Sequence, residues 1–430
     1  MEALSPAAVT LLVLLGMAIL FVTEAIPLAV TAMSGAIVLG SLGIITPKQV
    51  FSGLSNSTVV LFAGMFVIGA GMFHTGLAQR IGTQVVRACG SGEKNLMFGT
   101  MLIAALLSSV SSNTGTTAAL MPVVIGICAA AGVSASRQLM PLAFAAGAGG
   151  TITLVGTPPN IIANAAFDAA GITPFGFFEF AKIGIPVTVA AILYMMFIGQ
   201  HLLPKGEVDK ADAEKAEKAR REAEMRDKSY STKKMTICGL TLIGVVVVMA
   251  LDLKKFPLEM AAVTGAIILV LTRCVTEEQA YRGIDWVTIF LFAGMMPVAT
   301  AMDKSGAGQL IADYVIAFLG SEPSPYALCT VLFVLSVTLT QFMSNTASAA
   351  LLCPIGISIA KGIGVSPHAV IMAIAIAASC AFATPVGTPP NTLVLGAGGY
   401  RFMDYVKTGL PLILIQCVLC SILIPMIWPF

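Results

Sequence analysis

The sequence holds two polar tripeptides in the middle of long apolar stretches: Ser112-Asn113-Thr114 and Ser344-Asn345-Thr346. At the depth of a membrane, every backbone N–H and C=O must find a partner within the protein, so a chain break there is tolerated only where it is buried or lines a cavity. Ser, Thr and Asn are also preferred residues for beginning a helix. Each tripeptide therefore predicts a helical hairpin that turns at mid-membrane and starts a new helix at its tip.

Two facing hairpin tips have the chemistry of an anion site. A helix N-terminus presents free N–H groups and a positive dipole end, and the hydroxyl and amide side chains add hydrogen bonds, so a dianion can be held without arginine. A further hydroxyl lies one turn before each tripeptide, at Ser108 and Thr340. Helix C-termini and broken backbone offer oxygen ligands to a small cation beside the same site.

A second break follows in each half, at the Gly-Thr-Pro-Pro-Asn segments 156–160 and 387–391. Two successive prolines remove two N–H donors and cannot lie in a helix interior without disrupting it. The carbonyls freed at Gly156 and Gly387 could complete a cation site, and the threonine hydroxyl could face substrate.

A tandem duplication relates these motifs. The offsets are 344 − 112 = 232 for the tripeptides, 387 − 156 = 231 for the proline motifs and 291 − 61 = 230 for the Leu-Phe-Ala-Gly-Met segments. A lone motif would be interpreted as a helix kink or a packing contact, but ordered motifs at a nearly constant offset favour the duplicated halves of a secondary transporter, whose substrate site lies between the repeats.

The elements that position these residues are membrane helices. The chain has 430 residues, of which 57% are hydrophobic and 11% charged, with a mean hydropathy of +0.92. Such a composition lacks the polar surface of a water-soluble protein and predicts a multi-pass protein of the inner (plasma) membrane. The first apolar stretch lacks the features of a cleaved signal and is expected to be retained.

Three regions follow from the charge pattern. Residues 1–203 form a first membrane repeat with a hairpin near 95–132, and residues 235–430 form a second with a hairpin near 325–361. The Lys- and Arg-rich segment 204–234 is predicted to be a cytoplasmic linker by the positive-inside rule. No metal-ligand spacing, nucleophile motif or phosphate loop occurs in the sequence, so we expect no enzyme, no organic cofactor and no nucleic-acid partner.

The motifs together resemble the divalent anion/sodium symporter family, which includes dicarboxylate, citrate and sulfate carriers. The resemblance covers nearly the whole chain and rests on both Ser-Asn-Thr and both Thr-Pro-Pro-Asn motifs. It implies an all-α polytopic membrane protein of two inverted repeats, each with a re-entrant hairpin and a broken helix. It further implies a homodimer, an elevator-type mechanism and about eleven membrane helices.

The resemblance also implies site residues. Two sodium ions would be held by Ser108, Ser112, Asn113 and Gly156, and by Thr340, Met343, Asn345 and Gly387. The dianion would be held by Asn113, Thr114, Ser344, Asn345, Thr346, Thr388 and Pro389. Because Gly387 would act through its backbone, alanine should be tolerated there.

The function implied is sodium-coupled import of four-carbon dicarboxylates such as succinate, malate or fumarate. Three alternatives stay open at this point. The first is a sodium-independent dicarboxylate antiporter, and the second is a sulfate or citrate carrier of the same fold. The third is a channel or a structural membrane protein. A channel should conduct without saturation or counter-transport, and the duplicated interrupted hairpins argue against it.

Overall fold

The computed structural model describes residues 5–88, 90, 92–204, 230–251, 253, 256–319 and 324–429. Within these ranges the chain is helical and contains no strand. The helices of the first half are α1 Pro6–Thr23, α2 Leu28–Ser41, α3 Pro47–Val50, α4 Ser57–His74, α5 Leu77–Ala88, α6 Glu93–Ser108, α7 Asn113–Ala131, α8 Leu139–Gly150, α9 Pro158–Ala169 and α10 Ala181–Leu202. Those of the second half are α11 Thr232–Ala250, α12 Leu258–Leu271, α13 Glu277–Gly283, α14 Trp286–Ser305, α15 Ala307–Leu319, α16 Pro325–Leu339, α17 Asn345–Ile363, α18 Pro367–Ala378, α19 Pro389–Ala397 and α20 Phe402–Ile427.

Eight of the described helices are long and apolar enough to cross a membrane, namely α1, α4, α7, α10, α11, α14, α17 and α20. Four shorter apolar helices, α2, α12, α16 and α18, accompany them. The prediction of an all-helical, multi-pass protein of the inner membrane is therefore confirmed. The expected total of about eleven membrane helices stays a prediction.

Equivalent helices of the two halves make equivalent contacts with the other half. Helix α4 packs on α12 of the other half, and its counterpart α14 packs on α2. At each crossing a glycine meets an alanine: a Cβ added to Gly64 would lie 2.7 Å from the backbone of Ala262, and one added to Gly294 would lie 2.7 Å from Ala32. The repeated Leu-Phe-Ala-Gly-Met segment thus supplies the small residue that lets two membrane helices approach closely.

The helices form two groups. The first helix group comprises α1, α2, α4, α11, α12 and α14, which pack mainly on one another. The second helix group comprises α6–α10 and α16–α20, and it contains both hairpins and both broken segments. Within it α9 packs on α17 and α19 on α7, so each half's short helix contacts the other half's hairpin. These reciprocal contacts support two related repeats. The inverted orientation of the repeats and their boundaries at residues 203 and 235 stay a proposal.

The predicted linker 204–234 falls mostly outside the described residues, which omit 205–229. Its last residues belong to α11, which begins at Thr232. The ring of Tyr230 lies against Gly76, just beyond the end of α4. The start of α11 and the end of α4 are therefore at the same end of the molecule.

Candidate functional site

Each Ser-Asn-Thr tripeptide starts a helix, as predicted. Ser112 is the N-cap of α7, and its Oγ accepts a hydrogen bond from the Gly115 N–H at 3.0 Å. Ser344 is the N-cap of α17, and its Oγ accepts from the Ala347 N–H at 3.1 Å. The asparagine and threonine of each tripeptide occupy the first helical positions, so their backbone N–H groups belong to the unpaired first turn.

Both tips meet in one cavity of about 660 Å³. Its lining includes both complete tripeptides and the Thr-Pro pairs of both broken segments: Ser112, Asn113, Thr114, Ser344, Asn345, Thr346, Thr157, Pro158, Thr388 and Pro389. The lining continues along α4 to His74 and includes Asp285 at the start of α14. The cavity therefore extends from the hairpin tips to the end of the molecule where α11 begins.

Asparagines hold the two broken segments in shape. The Asn160 side chain donates to the carbonyl of Thr153 at 2.8 Å, and the Asn391 side chain donates to the carbonyl of Thr384 at 2.9 Å. Both side chains are fully buried. These bonds satisfy carbonyls left free by the break, which explains why each Pro-Pro pair is followed by asparagine.

The Asn113 amide lies in a ring of oxygen atoms behind the first tip. The amide atom facing inward is 2.6 Å from Ser108 Oγ, 3.1 Å from the Gly156 carbonyl oxygen and 3.2 Å from the Ala146 carbonyl oxygen. With its nitrogen inward, the amide donates to these groups. With its oxygen inward, it accepts from Ser108 and lies against two carbonyl oxygens.

The second tip repeats this arrangement. The inward amide atom of Asn345 is 2.8 Å from Thr340 Oγ1, 3.0 Å from the Gly387 carbonyl oxygen and 3.2 Å from the Ala378 carbonyl oxygen. Thr340 Oγ1 also lies 2.7 Å from the Ala378 carbonyl oxygen, to which it donates. Four oxygen-bearing groups therefore converge at equivalent points of the two halves.

Such a ring fits a small hard cation. Uncharged oxygen donors suit Na⁺, and a cation between them would stabilise the oxygen-inward amide that is otherwise opposed by two carbonyls. The nitrogen-inward amide satisfies the same carbonyls without a cation.

The residues expected at the anion site all line the cavity, and so do Ser112 and Gly156. Ser108, Thr340 and Gly387 lie behind the tips instead, at the two oxygen rings. Met343 is buried in the turn before Ser344, where its N–H donates to the Leu339 carbonyl at 3.1 Å, and it is not among the described lining residues.

Several residues of the site were missed from sequence. The carbonyls of Ala146 and Ala378 sit in apolar helices that give no signal by themselves, although their offset, 378 − 146 = 232, matches that of the tripeptides. Ser111 was also missed, whereas the hydroxyl of Thr157 was expected to face substrate. Both residues line the cavity, and their hydroxyls have no hydrogen-bond partner among the described residues. Both hydroxyl oxygens are buried, so each is an unpaired polar group in the wall of the cavity.

The described lining contains no Lys or Arg. Its ionisable side chains are His74 and Asp285, and Asp285 is engaged as the N-cap of α14, accepting from the Thr288 N–H at 3.2 Å. Positive potential at the tips must therefore come from the α7 and α17 N-termini and from any bound cation. Two helix N-termini that meet in one cavity among membrane helices are the arrangement of a membrane carrier.

Comparison with known proteins agrees with that class. The family described as citrate transporter matches residues 18–355 and 324–430, and the chain belongs to this family. The resemblance to the divalent anion symporters is thereby confirmed, and the protein is a transporter and not an enzyme.

Individual relatives point the same way. The chain is 28% identical to the uncharacterized transporter YfbS of Escherichia coli K12, over 96% of this chain and 97% of that protein. It is 26% identical to the sodium-dependent dicarboxylate transporter SdcS of Staphylococcus saprophyticus, over 95% of this chain and 84% of that protein. In fold it is similar to the YdaH transporter of Alcanivorax borkumensis, with a TM-score of 0.63, 15% identity and coverage of 95% and 98%.

Proposed function

We propose that this protein is a sodium-coupled secondary transporter that imports small dianions, with four-carbon dicarboxylates such as succinate, malate and fumarate as its preferred class. The observation that carries the proposal is the meeting of two capped helix N-termini in one cavity whose described lining holds no Lys or Arg. Two N-termini facing one ligand match the two separated carboxylates of a dicarboxylate. The name of the SdcS relative supports the same substrate class and sodium.

In this proposal sodium is a second cargo, held at two sites. Ser108, Asn113 and Gly156 hold one ion together with Ser112, and Thr340, Asn345 and Gly387 hold the other together with Met343. Each asparagine lies both in an oxygen ring and in the cavity lining, so a bound ion would fix the amide that the substrate meets. Sodium and anion transport would be coupled, because the anion binds well only after the two ions have fixed the conformation of both hairpin tips.

Alternating access is proposed to be of elevator type in a homodimer. The cavity lies between the two helix groups, since α4 of the first group and both tips of the second line it. Movement of the second group against the first would carry the site across the membrane without breaking the rings behind the tips. If the linker is cytoplasmic, the cavity's extension toward His74 corresponds to the inward-open state.

The test is uptake of labelled succinate into proteoliposomes, with and without an inward sodium gradient and with and without internal dicarboxylate. Accumulation driven by the sodium gradient supports the proposal. Uptake that requires internal dicarboxylate and ignores sodium would establish the antiporter instead. Competition by citrate or sulfate measures the substrate class, and stronger inhibition by either than by malate would overturn the dicarboxylate preference.

A further inference from the structure

An open groove of about 410 Å³ lies between α5 and α11, away from the transport cavity. One stripe of α5 lines it with Leu77, Arg80, Ile81 and Gln84, and one stripe of α11 faces it from Thr232 to Ile243. Both stripes follow the i, i+3, i+4 spacing of a single helix face. The polar lining residues are Arg80, Gln84, Thr232 and Thr236, and the lining of α11 is apolar beyond Gly239.

Basic side chains line or adjoin the part of the groove where α11 begins. Arg80 is an exposed lining residue, and the exposed Lys233 and Lys234 adjoin Thr232 at the start of α11. Arg273 is nearby, because the thiol of the adjoining Cys274 donates to the Lys234 carbonyl at 3.5 Å. The duplication does not repeat this charge, since the position equivalent to Arg80 in the second half, 80 + 230 = 310, is Leu310.

A second, apolar groove of about 380 Å³ continues along α11 on its side facing α12, and Leu240 lines both grooves. The two grooves diverge from Leu240, which is 66% exposed. From Thr236 to Val248 the helix rises about 18 Å at its usual 1.5 Å per residue, close to one leaflet's share of a ~30 Å hydrocarbon core. The length suits acyl chains that run from a headgroup at the basic end.

We infer that this surface is a binding site for an anionic diacyl phospholipid, with its headgroup phosphate at Arg80 and Lys233 and its two acyl chains on either side of Leu240. Cationic side chains at this depth attract anionic headgroups, while the alkyl contacts require a lipid and not a soluble anion. The site joins α5, which packs on the first hairpin, to α11 of the first helix group.

The experiment measures lipid adducts by native mass spectrometry and the unfolding temperature of the purified full chain in detergent. Added phosphatidylglycerol should bind and stabilise the protein more than phosphatidylcholine with the same chains, and inorganic phosphate should do neither. Replacing both Arg80→Gln and Lys233→Gln should weaken phosphatidylglycerol binding by about 25-fold, because each basic group near an anionic headgroup contributes about fivefold and the two factors multiply. The control is Lys48→Gln. Lys48 is an exposed lysine on α3, near the C-terminal end of α14 and away from the groove.

A second variant tests the acyl part without changing charge. A Cβ at Gly239 would meet Leu77 at 3.6 Å, an ordinary contact, so Gly239→Phe should fold and fill the groove. It should lose the preference for added phosphatidylglycerol while keeping its gel-filtration profile. Equal binding of the two lipids to the unmodified protein, or a phosphate effect as large as the lipid effect, would overturn the inference. So would unchanged phosphatidylglycerol binding in the double variant.

Discussion

At the scale of single residues, the asparagine of each tripeptide has two tasks. Its side chain closes an oxygen ring with a hydroxyl one turn earlier and the carbonyl of a broken segment, and the same residue lines the anion cavity. Asparagine suits this position because one amide carries both a donor and an acceptor. With its nitrogen inward, the amide donates to all three oxygen atoms around it, so the ring is satisfied.

We predict that Asn113→Ala and Asn345→Ala each abolish sodium-driven succinate uptake. In the proposed site, alanine would remove a ligand of the cation and a contact of the substrate together, and hydrogen bonds to charged groups contribute about 1.5–3 kcal/mol each. Expression and gel-filtration behaviour should change little, because the lost groups are at the site. Uptake assays in matched proteoliposomes decide the matter, and normal uptake by both variants would contradict the two-site proposal.

Ser108→Ala should raise the sodium concentration needed for half-maximal uptake by about tenfold. The substitution removes one oxygen ligand of the proposed sodium site, and a loss of about 1.4 kcal/mol in binding free energy weakens binding by a factor of ten. Its Oγ is 2.6 Å from the Asn113 amide, whereas the Oγ of adjacent Ser109 donates to the Leu106 carbonyl at 2.8 Å. Ser109→Ala is thus the matched control and should leave sodium dependence unchanged. An equal effect of the two substitutions would assign Ser108 a general packing role.

Gly156→Ala should impair transport more than Gly387→Ala. A Cβ at Gly156 would collide with the Gly150 carbonyl and lie 2.9 Å from the Ser108 carbonyl oxygen, both backbone atoms. At Gly387 one backbone oxygen, that of Thr340, lies 2.6 Å away, and the other close atoms belong to side chains. Alanine at Gly387 therefore requires the backbone at Thr340 to move, so we expect alanine to be tolerated less well there than the sequence suggests. Gly396→Ala, which meets open space, is the control, and uptake is the measurement.

At the scale of elements, the sequence predicts hairpins and breaks well but contacts poorly. Ser112 and Ser344 could be recognised as helix starts, because a polar N-cap residue in the middle of an apolar stretch indicates that a new helix begins there. The partners of those tips could not, since Ala146 and Ala378 contribute only backbone and reach the tips through tertiary packing. The packing of α9 on α17 and of α19 on α7, each in the other half, likewise could not be predicted from the order of motifs along the sequence.

The crossings of α4 with α12 and of α14 with α2 depend on one glycine each. Gly64→Ala and Gly294→Ala should each lower the unfolding temperature, since the added Cβ must push the helices apart and overpacking typically costs about 1–3 kcal/mol. Gly16→Ala on α1 and Gly244→Ala on α11 meet open space and are the controls. Thermal unfolding in detergent gives the measurement, and equal stability of all four variants would show that close approach at the crossings is unimportant.

At the scale of the whole molecule, the duplication places equivalent residues around one cavity. Helix α4 enters the lining at the end that includes His74, while the neighbouring α14 begins there at Asp285 and ends at Ser305. Helix α14 has 20 residues. At about 1.5 Å per residue it is about 30 Å long, which equals the thickness of the hydrocarbon core. Its two ends therefore mark opposite faces of the membrane, which could not be deduced from the repeat alone.

These faces give a test of the inward-open state. His74 is exposed at the cavity end of α4, whereas Lys48 is exposed on α3 near the other end of α14, where Gln49 accepts a hydrogen bond from Lys304 at 2.8 Å. In a background with its native cysteines replaced, His74→Cys should react with a membrane-impermeant thiol reagent from the cytoplasmic side. Lys48→Cys should react from the opposite side and serves as the control.

Sodium and succinate together should slow the labelling of His74→Cys, because ligands that allow the second helix group to move shift the population away from the open cavity. Lys48→Cys, distant from the cavity, should label at an unchanged rate. Labelling of both cysteines from one side would refute the assignment of the two faces. A different result is that the two cysteines label from opposite sides but ligands leave the labelling rate of His74→Cys unchanged. The assignment of the two faces would then be correct, but the cavity would be a fixed vestibule and the elevator proposal would be wrong.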